Sequence, residues 1–331
     1  MPLPDLLLNR LRLPAIAAPQ FLVSGPGLVV ETCRAGLVGT FPSLNQRTTE
    51  GYAAWLDEIA TRLAALPHAA PFGVNLIVHR TNARLEADLA ATVRARVPIV
   101  ITSLGANREV VAAVQSYGGL VFHDVINRRH AEKAAEAGVD GIIAVCAGAG
   151  GHAGTLSPFA LVSEVRQVFA GTIILAGAIG TGAHILAARA MGADLAYLGT
   201  RFIATRESLA APAHKTMIVA GRAADIIHTP AISGVAGNFL RPSLVAQGLD
   251  PDNLPTGTTM DMSRRHAEKD GGADEGRAWR DIFSAGQGIG AIDDVPTVAE
   301  LCDRLAAEYE AALAGLGHGV PAAATAAKLP A

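Results

Sequence analysis

A glycine-rich segment that contains one histidine is the clearest candidate for chemistry in the sequence. It reads Cys146-Ala-Gly-Ala-Gly-Gly-His152-Ala-Gly154. Glycines allow a backbone to approach a ligand closely, and the segment has no large side chain that could pack against the imidazole. Because histidine titrates near neutral pH, His152 is suited to proton abstraction or to stabilising a negative charge. The alternative is that His152 is structural or merely exposed.

Two further glycine-rich segments indicate a phosphate site. They read Ala176-Gly-Ala-Ile-Gly-Thr-Gly182 and Gly199-Thr-Arg-Phe202. Turns of this kind bind phosphate through backbone N–H groups and a helix N-terminus. The G-x-x-G-x-G spacing, with no acid after the following strand, disfavours a dinucleotide fingerprint. Two ordinary strand-to-helix turns are the alternative.

Polar residues at the ends of apolar runs are weaker candidates. Asn75 lies inside an apolar run and needs a hydrogen-bond partner if it is buried, which a ligand or the backbone could supply. His123 and Asp124 end another run, where Asp124 could bind ligand hydroxyl groups or face solvent. Gln287, in Ser284-Ala-Gly-Gln-Gly-Ile-Gly290, is another possible ligand contact.

Eight short apolar runs, separated by helical patterns, must position these residues. The runs are continuous rather than alternating, which is typical of parallel strands that are buried on both faces. Eight such repeats within about 200 residues favour an α/β fold of the (β/α)8 TIM-barrel type over a doubly wound sheet. Function in such barrels lies at the carboxyl ends of the strands. The predicted strands are Ala15–Ala18, Leu37–Phe41, Phe72–Ile77, Ile99–Thr102, Leu120–Asp124, Gly141–Val145, Thr172–Ala176 and Leu195–Leu198.

The alternation of apolar runs and helical patterns ends after residue 205. We predict that residues 10–205 and 286–314 form the barrel, and that residues 206–285 form a mostly helical insertion or lid after strand 8. Residues 207–285 show no clear strand, and Arg264–Arg280 is the most charged stretch. Residues 315–331 are rich in Gly, Ala and Pro and are predicted to be a flexible tail.

Composition excludes several classes of protein. The net charge is −3 with no basic stripe, which disfavours nucleic-acid binding. The 3 cysteines are far apart, so neither a disulfide scaffold nor a zinc site is indicated. Two uncharged stretches, Gly141–Ser163 and Gln167–Ala188, contain glycines and a histidine and fit strand–loop–helix units better than membrane spans. The N-terminus does not have the pattern of a signal peptide, so we expect a cytoplasmic location.

In combination, five motifs resemble the nitronate monooxygenase (2-nitropropane dioxygenase-like) family of FMN-dependent TIM-barrel enzymes. The resemblance extends from about residue 10 to residue 312. The motifs are Phe72-Gly-Val-Asn-Leu76, Ala149-Gly-Gly-His-Ala-Gly154, Ala176-Gly177 with its turn, Gly199-Thr-Arg-Phe202 and Ser284-Ala-Gly-Gln-Gly-Ile-Gly290.

The resemblance implies one FMN at the barrel mouth, with its phosphate between the Gly177–Gly180 and Gly199–Thr200 loops. His152 matches the family's catalytic histidine, which acts as a base or as a partner for the negative charge of the substrate. The implied reaction oxidises an alkyl nitronate with flavin and O2 to a carbonyl compound and nitrite, without NAD(P)H. A small-molecule substrate is implied, and a homo-oligomer is compatible with it. The implied cofactor contacts are Ala18, Pro19, Asn75, Asp124, Gly150, Gly151, Ala176, Gly177, Gly180, Gly199, Thr200, Gln287 and Gly288.

The chain departs from the family pattern at several positions. Val145, Cys146 and Gly148 replace the residues that are usual ahead of the histidine motif, and Asp124 stands where Lys, Ser or Thr is common. The family's relatives include NAD(P)H:quinone reductases and a flavin-dependent enoyl-acyl-carrier-protein reductase. An NAD(P)H-dependent FMN reductase of quinones or enoyl thioesters therefore stays open as an alternative, as does a non-catalytic protein that binds flavin or a phosphometabolite.

Overall fold

Eight parallel strands close into a barrel in the computed structural model, which describes residues 3–254 and 280–317. The predicted (β/α)8 barrel is confirmed, and each strand lies within one or two residues of its predicted bounds. A ninth, two-residue strand, β7 (Gly151–His152), lies outside the barrel. The barrel strands are β1 (Ala15–Ala17), β2 (Val38–Pro42), β3 (Phe72–Ile77), β4 (Ile99–Ser103), β5 (Leu120–Val125), β6 (Gly141–Val145), β8 (Thr172–Ala176) and β9 (Leu195–Leu198).

Helices connect consecutive strands, and several of the described helices begin at a capping side chain. Thr48, Asn107, Asn127 and Thr181 each accept a hydrogen bond from a backbone N–H in the first turn of the helix that follows. The helices are α1 (Pro26–Arg34), α2 (Thr49–Ala64), α3 (Leu85–Arg94), α4 (Arg108–Gln115), α5 (Arg128–Ala137), α6 (Pro158–Val168), α7 (Gly182–Ala190), α8 (Thr200–Ile203), α9 (Pro212–Ala220), α10 (Arg241–Ala246) and α11 (Val298–Gly317).

The core has two layers, because successive residues of each strand point to opposite faces of the sheet. One apolar cluster fills the barrel interior and includes Ile16, Ile101, Phe122 and Ile174. Leu7, which precedes β1, packs in this inner cluster. A larger cluster lies between the strands and the helices. Both faces of every barrel strand are therefore buried, which explains the continuous apolar runs.

The segment after α8 contains two strands that the sequence analysis did not predict. β10 (Ile226–Thr229) and β11 (Gly237–Leu240) pair antiparallel, and β11 also pairs with β7. The expectation that residues 207–285 carry no strand is therefore wrong. Both strands have only four residues and include polar residues or glycine, and the second partner of β11 is distant in the chain. The helix α9 precedes β10 in the chain, and α10 follows β11.

Parts of the predicted insertion and tail lie outside the described residues. These are residues 255–279, which include most of the charged stretch Arg264–Arg280, and residues 318–331 of the tail. Residues 315–317, predicted as part of the tail, are helical because α11 continues to Gly317. Among the described residues, no helix is long and apolar enough to cross a membrane. The division into barrel, insertion and tail stays a prediction.

Candidate active site

The loops that follow β6 and β8 meet the segment Gln287–Ala291 at one carbonyl group. The Gly148 carbonyl oxygen accepts hydrogen bonds from the backbone N–H of Gln287 at 2.8 Å and of Ala178 at 3.3 Å. Gly148 has a φ of 83°, and a Cβ atom at this position would lie 2.9 Å from the Gln287 side-chain oxygen. Only glycine fits this position without strain, so the tight contact with Gln287 requires Gly148 in this chain.

Further contacts bring most of the predicted cofactor residues to the same place. The Gly286 N–H donates to Thr200 Oγ1 at 2.8 Å, and a Cβ atom on Gly150 would lie 2.9 Å from that nitrogen. A Cβ atom on Gly180 would lie 3.1 Å from the Gly288 carbonyl oxygen. A Cβ atom on Gly199 would lie 3.8 Å from the Ala18 side chain. The carboxyl ends of β1, β6, β8 and β9 thus form one glycine-lined cradle, which Pro19, Ala176 and Gly177 adjoin in sequence.

Two backbone N–H groups near the predicted phosphate turn already have protein partners. The Gly180 N–H donates to His184 Nδ1 at 3.2 Å, and the Gly182 N–H donates to Glu308 Oε2 of α11 at 2.7 Å. A carboxylate therefore already lies at the N-terminus of α7, where it interacts favourably with the helix dipole. A phosphate in this region would draw more on the Gly199–Thr200 turn than on the start of α7.

A chain of polar side chains crosses the inner face of β3, β4 and β5. Asn75 Nδ2 donates to Ser103 Oγ at 2.8 Å and to the Ile101 carbonyl oxygen at 3.2 Å. Ser103 Oγ donates in turn to Asp124 Oδ2. Burial raises the pKa of Asp124 to about 6, which the Ser103 hydrogen bond partly opposes. Asp124 is therefore a carboxyl group that titrates near neutral pH at the mouth of the barrel.

Tyr197 of β9 belongs to the same inner surface. Burial, together with the nearby charge of Asp124, raises the pKa of its phenol well above the usual value. Ser103 and Tyr197 were not predicted as site residues, because a lone hydroxyl in an apolar run is a weak signal in one sequence. His123 points to the opposite face of β5, where its Nδ1 lies 2.8 Å from Thr102 Oγ1. His123 therefore does not share the position of Asp124.

His152 lies at the junction of the barrel and the insertion. It is half-buried on β7, opposite Gly237 of β11, and its Nε2 lies 3.2 Å from Ser233 Oγ. The preceding residue, Gly151, pairs with Asn238, whose side-chain amide donates to the Ala149 carbonyl oxygen at 2.6 Å. Ser233 and Asn238 were missed by the sequence analysis, since nothing local in the sequence indicates that they contact the histidine loop.

The mouth of the barrel contains two buried acceptors that lack a donor within the described part of the chain, Asp124 Oδ1 and Gln20 Oε1. Gln20 follows β1 and neighbours Gly199, where its Nε2 would lie 3.5 Å from an added Cβ atom. Leaving such acceptors unsatisfied costs about 1–3 kcal/mol each. The hydroxyl and N–H groups of FMN are donors of the required kind. The residues present thus fit this cofactor.

Neither the metal-binding residue types nor the thiol of Cys146 indicates a reactive group in the described part of the site. Among the described residues, no group of His, Cys, Asp and Glu side chains could hold a metal ion. Cys146 lies at the start of the histidine loop, but burial raises the pKa of its thiol to about 12. Because the thiolate is the nucleophilic form, such a thiol is unreactive at neutral pH.

Comparisons with known proteins agree on one family. A family model described as nitronate monooxygenase matches residues 7–308. A nitronate monooxygenase of Paraburkholderia phytofirmans is 30% identical and covers 72% of this chain and 76% of its own length. The "(3aS,4S,5R,7aS)-5-hydroxy-7a-methyl-1-oxo-octahydro-1H-indene-4-carboxyl-CoA dehydrogenase" of Rhodococcus jostii is 26% identical and covers 92% of this chain and 94% of its own length. The solved structure of FabK from Thermotoga maritima has a TM-score of 0.77 at 25% identity and covers 96% of this chain and 98% of its own.

Proposed function

The chain belongs to the nitronate monooxygenase family, and from this premise we propose that it is a cytoplasmic FMN-dependent enzyme that oxidises alkyl nitronates with O2. The products are a carbonyl compound and nitrite. Family membership makes the chain a flavin-dependent oxidoreductase, which disfavours a purely binding role. The proposal that the substrate is an alkyl nitronate rests on the position of His152, which lies on the short strand β7 beside the glycine-lined cradle.

FMN would be held by residues from the carboxyl ends of the barrel strands. Gly177, Gly180, Gly199 and Thr200 would surround its phosphate. Asn75 and Asp124, which already share a hydrogen-bond chain through Ser103, would contact its polar groups. When bound, FMN supplies the group that accepts electrons from the substrate. The remaining proposed contacts are Ala18, Pro19, Gly150, Gly151, Ala176, Gln287 and Gly288.

His152 would act on the substrate rather than on the cofactor phosphate. Once protonated, an imidazole can stabilise the negative charge of a nitronate, whereas it can take up a carbon-bound proton only from the neutral nitroalkane, because a nitronate has already lost that proton. Its backbone is fixed by pairing with β11, so that little reorganisation is needed when the substrate binds. Pre-organisation of this kind is a main source of enzymatic rate enhancement.

Substitution of His152 tests this role directly. We expect His152→Ala to retain FMN, because the cradle does not depend on the imidazole. Nitronate-dependent O2 uptake should fall by about 10²–10³-fold, which is the usual loss when one group that stabilises charge in the transition state is removed. FMN content is read from visible absorbance, and turnover from an oxygen electrode with a nitrite assay. An unchanged kcat would show that the chemistry takes place elsewhere.

A second candidate function is reduction of quinones or enoyl thioesters with NAD(P)H on the same FMN. One relative that matches over 92% of this chain is named as a dehydrogenase of a carboxyl-CoA compound. Exposed arginines also follow the carboxyl ends of β2, β3, β4 and β5, with Arg47 and Arg80 in the connections and Arg108 and Arg129 in the first turns of α4 and α5. Cations near these strand ends suit the phosphates of a CoA carrier. Flavin reduction by NADH or NADPH alone would favour this candidate.

A further inference from the structure

Ser233 contacts the candidate catalytic histidine from the turn between β10 and β11. Its side chain is buried, with 6% of its surface exposed. The hydroxyl oxygen lies 3.0 Å from the Val235 carbonyl oxygen and 3.2 Å from His152 Nε2. A single hydroxyl group thus serves both the backbone of its own turn and the imidazole.

The number of protons decides the direction of both hydrogen bonds. A serine hydroxyl has a single proton to donate, whereas its oxygen can also accept. The Val235 carbonyl can only accept, so the hydroxyl proton points towards it. His152 can then bond to the same oxygen only as a donor, through a proton on Nε2. Both contacts are satisfied together only if Nε2 is protonated.

We propose that Ser233 is a positioning residue that holds neutral His152 as the Nε2–H tautomer and fixes the plane of its ring. The nitrogen that carries the proton is set by the hydrogen bond that it makes. In this tautomer His152 can take up a further proton only at Nδ1, so Ser233 determines which ring nitrogen carries the first proton. The consequence for catalysis rests on the proposed function, whereas the tautomer itself does not.

The β10–β11 segment supplies the Ser233 hydroxyl and also pairs with the backbone of the histidine loop. β11 pairs with β7, and the Ala153 N–H donates to the Ala236 carbonyl oxygen at 3.3 Å. Asn238 holds the Ala149 carbonyl oxygen on the other side of His152. Because Ser233 lies in the turn that leads into β11, the pairing of β11 with β7 holds its hydroxyl beside the imidazole. A catalytic histidine requires such support to keep a productive orientation.

Nuclear magnetic resonance of protein with isotope-labelled histidine tests the tautomer without any assay of activity. His152→Gln identifies the signals of His152 among the 10 histidines. We expect a protonated Nε2 and an unprotonated Nδ1 in the neutral wild-type ring, a mixture of tautomers in Ser233→Ala, and the wild-type pattern in Ser233→Thr. A wild-type ring protonated at Nδ1 only, or a pattern unchanged in Ser233→Ala, would overturn the proposal.

Ser243→Ala is the matched control, because it removes another buried hydroxyl of the insertion. Ser243 Oγ bonds to the backbone of Leu240 and Phe283 and not to His152. This variant should lose stability but keep the His152 tautomer. A shift of the tautomer in Ser243→Ala equal to that in Ser233→Ala would reduce the role of Ser233 to general support of the fold.

Turnover provides the second measurement, with whichever substrate reduces the flavin. Ser233→Ala should lower kcat by about tenfold or more, a part of the usual contribution of general acid–base catalysis. FMN binding should be unchanged, and Ser233→Thr should restore most of the rate. Failure of nitronate oxidation with the tautomer intact would contradict the proposed function and leave the assignment of Ser233 in place. A kcat unchanged by Ser233→Ala would overturn the catalytic part of the assignment.

Discussion

Asp124 illustrates how a single half-buried residue links the fold to its site. Its carboxyl group is bonded through one oxygen to Ser103, while the other oxygen has no partner within the described residues. Burial raises its pKa to about 6. The family resemblance marked this position as unusual, and the sequence could place it at a strand end. The sequence could not show whether the side chain pointed into the barrel, because that depends on the register of β5 with its neighbours.

Replacement of Asp124 should stabilise the flavin-free protein at alkaline pH. The pKa of Asp124 in the folded protein lies above the usual aspartate value of 3.8, so the folded state favours the protonated carboxyl group. The stabilising effect of this group is complete below about pH 4 and is lost as the pH rises through about 6. Asp124→Asn should therefore have a higher free energy of unfolding than the wild type at about pH 8, by at most about 3 kcal/mol. Urea denaturation measures the difference.

The difference should vanish near pH 4, where both side chains are neutral. Asp57→Asn, on the exposed side of α2, is the control because it makes the same change at an exposed position. A wild-type protein that is more stable than Asp124→Asn at about pH 8 would contradict the account of the buried carboxyl group.

His123 should resist protonation in the folded protein. Burial lowers the pKa of its imidazole from 6.5 to about 4, since a charged ring would lose its hydration between the strands and the helices. Its stabilising effect is present above about pH 6.5 and is lost as the pH falls through about 4. The nuclear magnetic resonance titration of the imidazole should have its midpoint near pH 4. A midpoint at or above about pH 6 would show that the ring faces water.

The elements differ in how far the sequence could predict them. β3, β6, β8 and β9 have their predicted bounds, because a strand buried on both faces leaves a continuous apolar run. β10 and β11 were missed, because they are short and their pairing with β7 joins residues far apart in the chain. The hydrogen bond from the Gly182 N–H to the Glu308 carboxylate could not be predicted from the sequence either. It depends on the packing of α11 against α7, which a local pattern does not record.

Gly182 sits where these two helices pack against each other, and its replacement should be strongly destabilising. A Cβ atom there would overlap the Leu305 carbonyl oxygen and the Tyr309 nitrogen. Gly182→Ala should therefore push α11 away from α7 and lower the free energy of unfolding by about 1–3 kcal/mol. Urea denaturation followed by circular dichroism measures the effect.

Gly315 provides the control, because it lies in α11 with nothing within 4 Å of an added Cβ atom among the described residues. Gly315→Ala should be neutral or stabilise by about 0.5–1 kcal/mol through helix propensity. Equal effects of the two substitutions would show that α11 does not pack against Gly182 as described.

At the scale of the whole molecule, the barrel gathers residues from the entire chain into one mouth. The sequence could predict this gathering, because the carboxyl ends of parallel strands meet at one end of a barrel. It could not predict that the insertion would contribute to the site. Ser233 and His152 are separated by 81 residues, and their contact arises only when β11 pairs with β7. Under the proposed function, the β10–β11 segment would contribute to the chemistry by supporting His152.

Anaerobic reduction of the bound flavin tests the central claim most directly. FMN-loaded protein is mixed in separate experiments with an alkyl nitronate, with NADH and with NADPH, and the loss of visible flavin absorbance is followed. The proposed function predicts rapid loss of absorbance with the nitronate, slow or no loss with either nicotinamide, and nitrite release once O2 is admitted. Rapid reduction by NADH or NADPH with no response to the nitronate would contradict it and favour the thioester or quinone reductase.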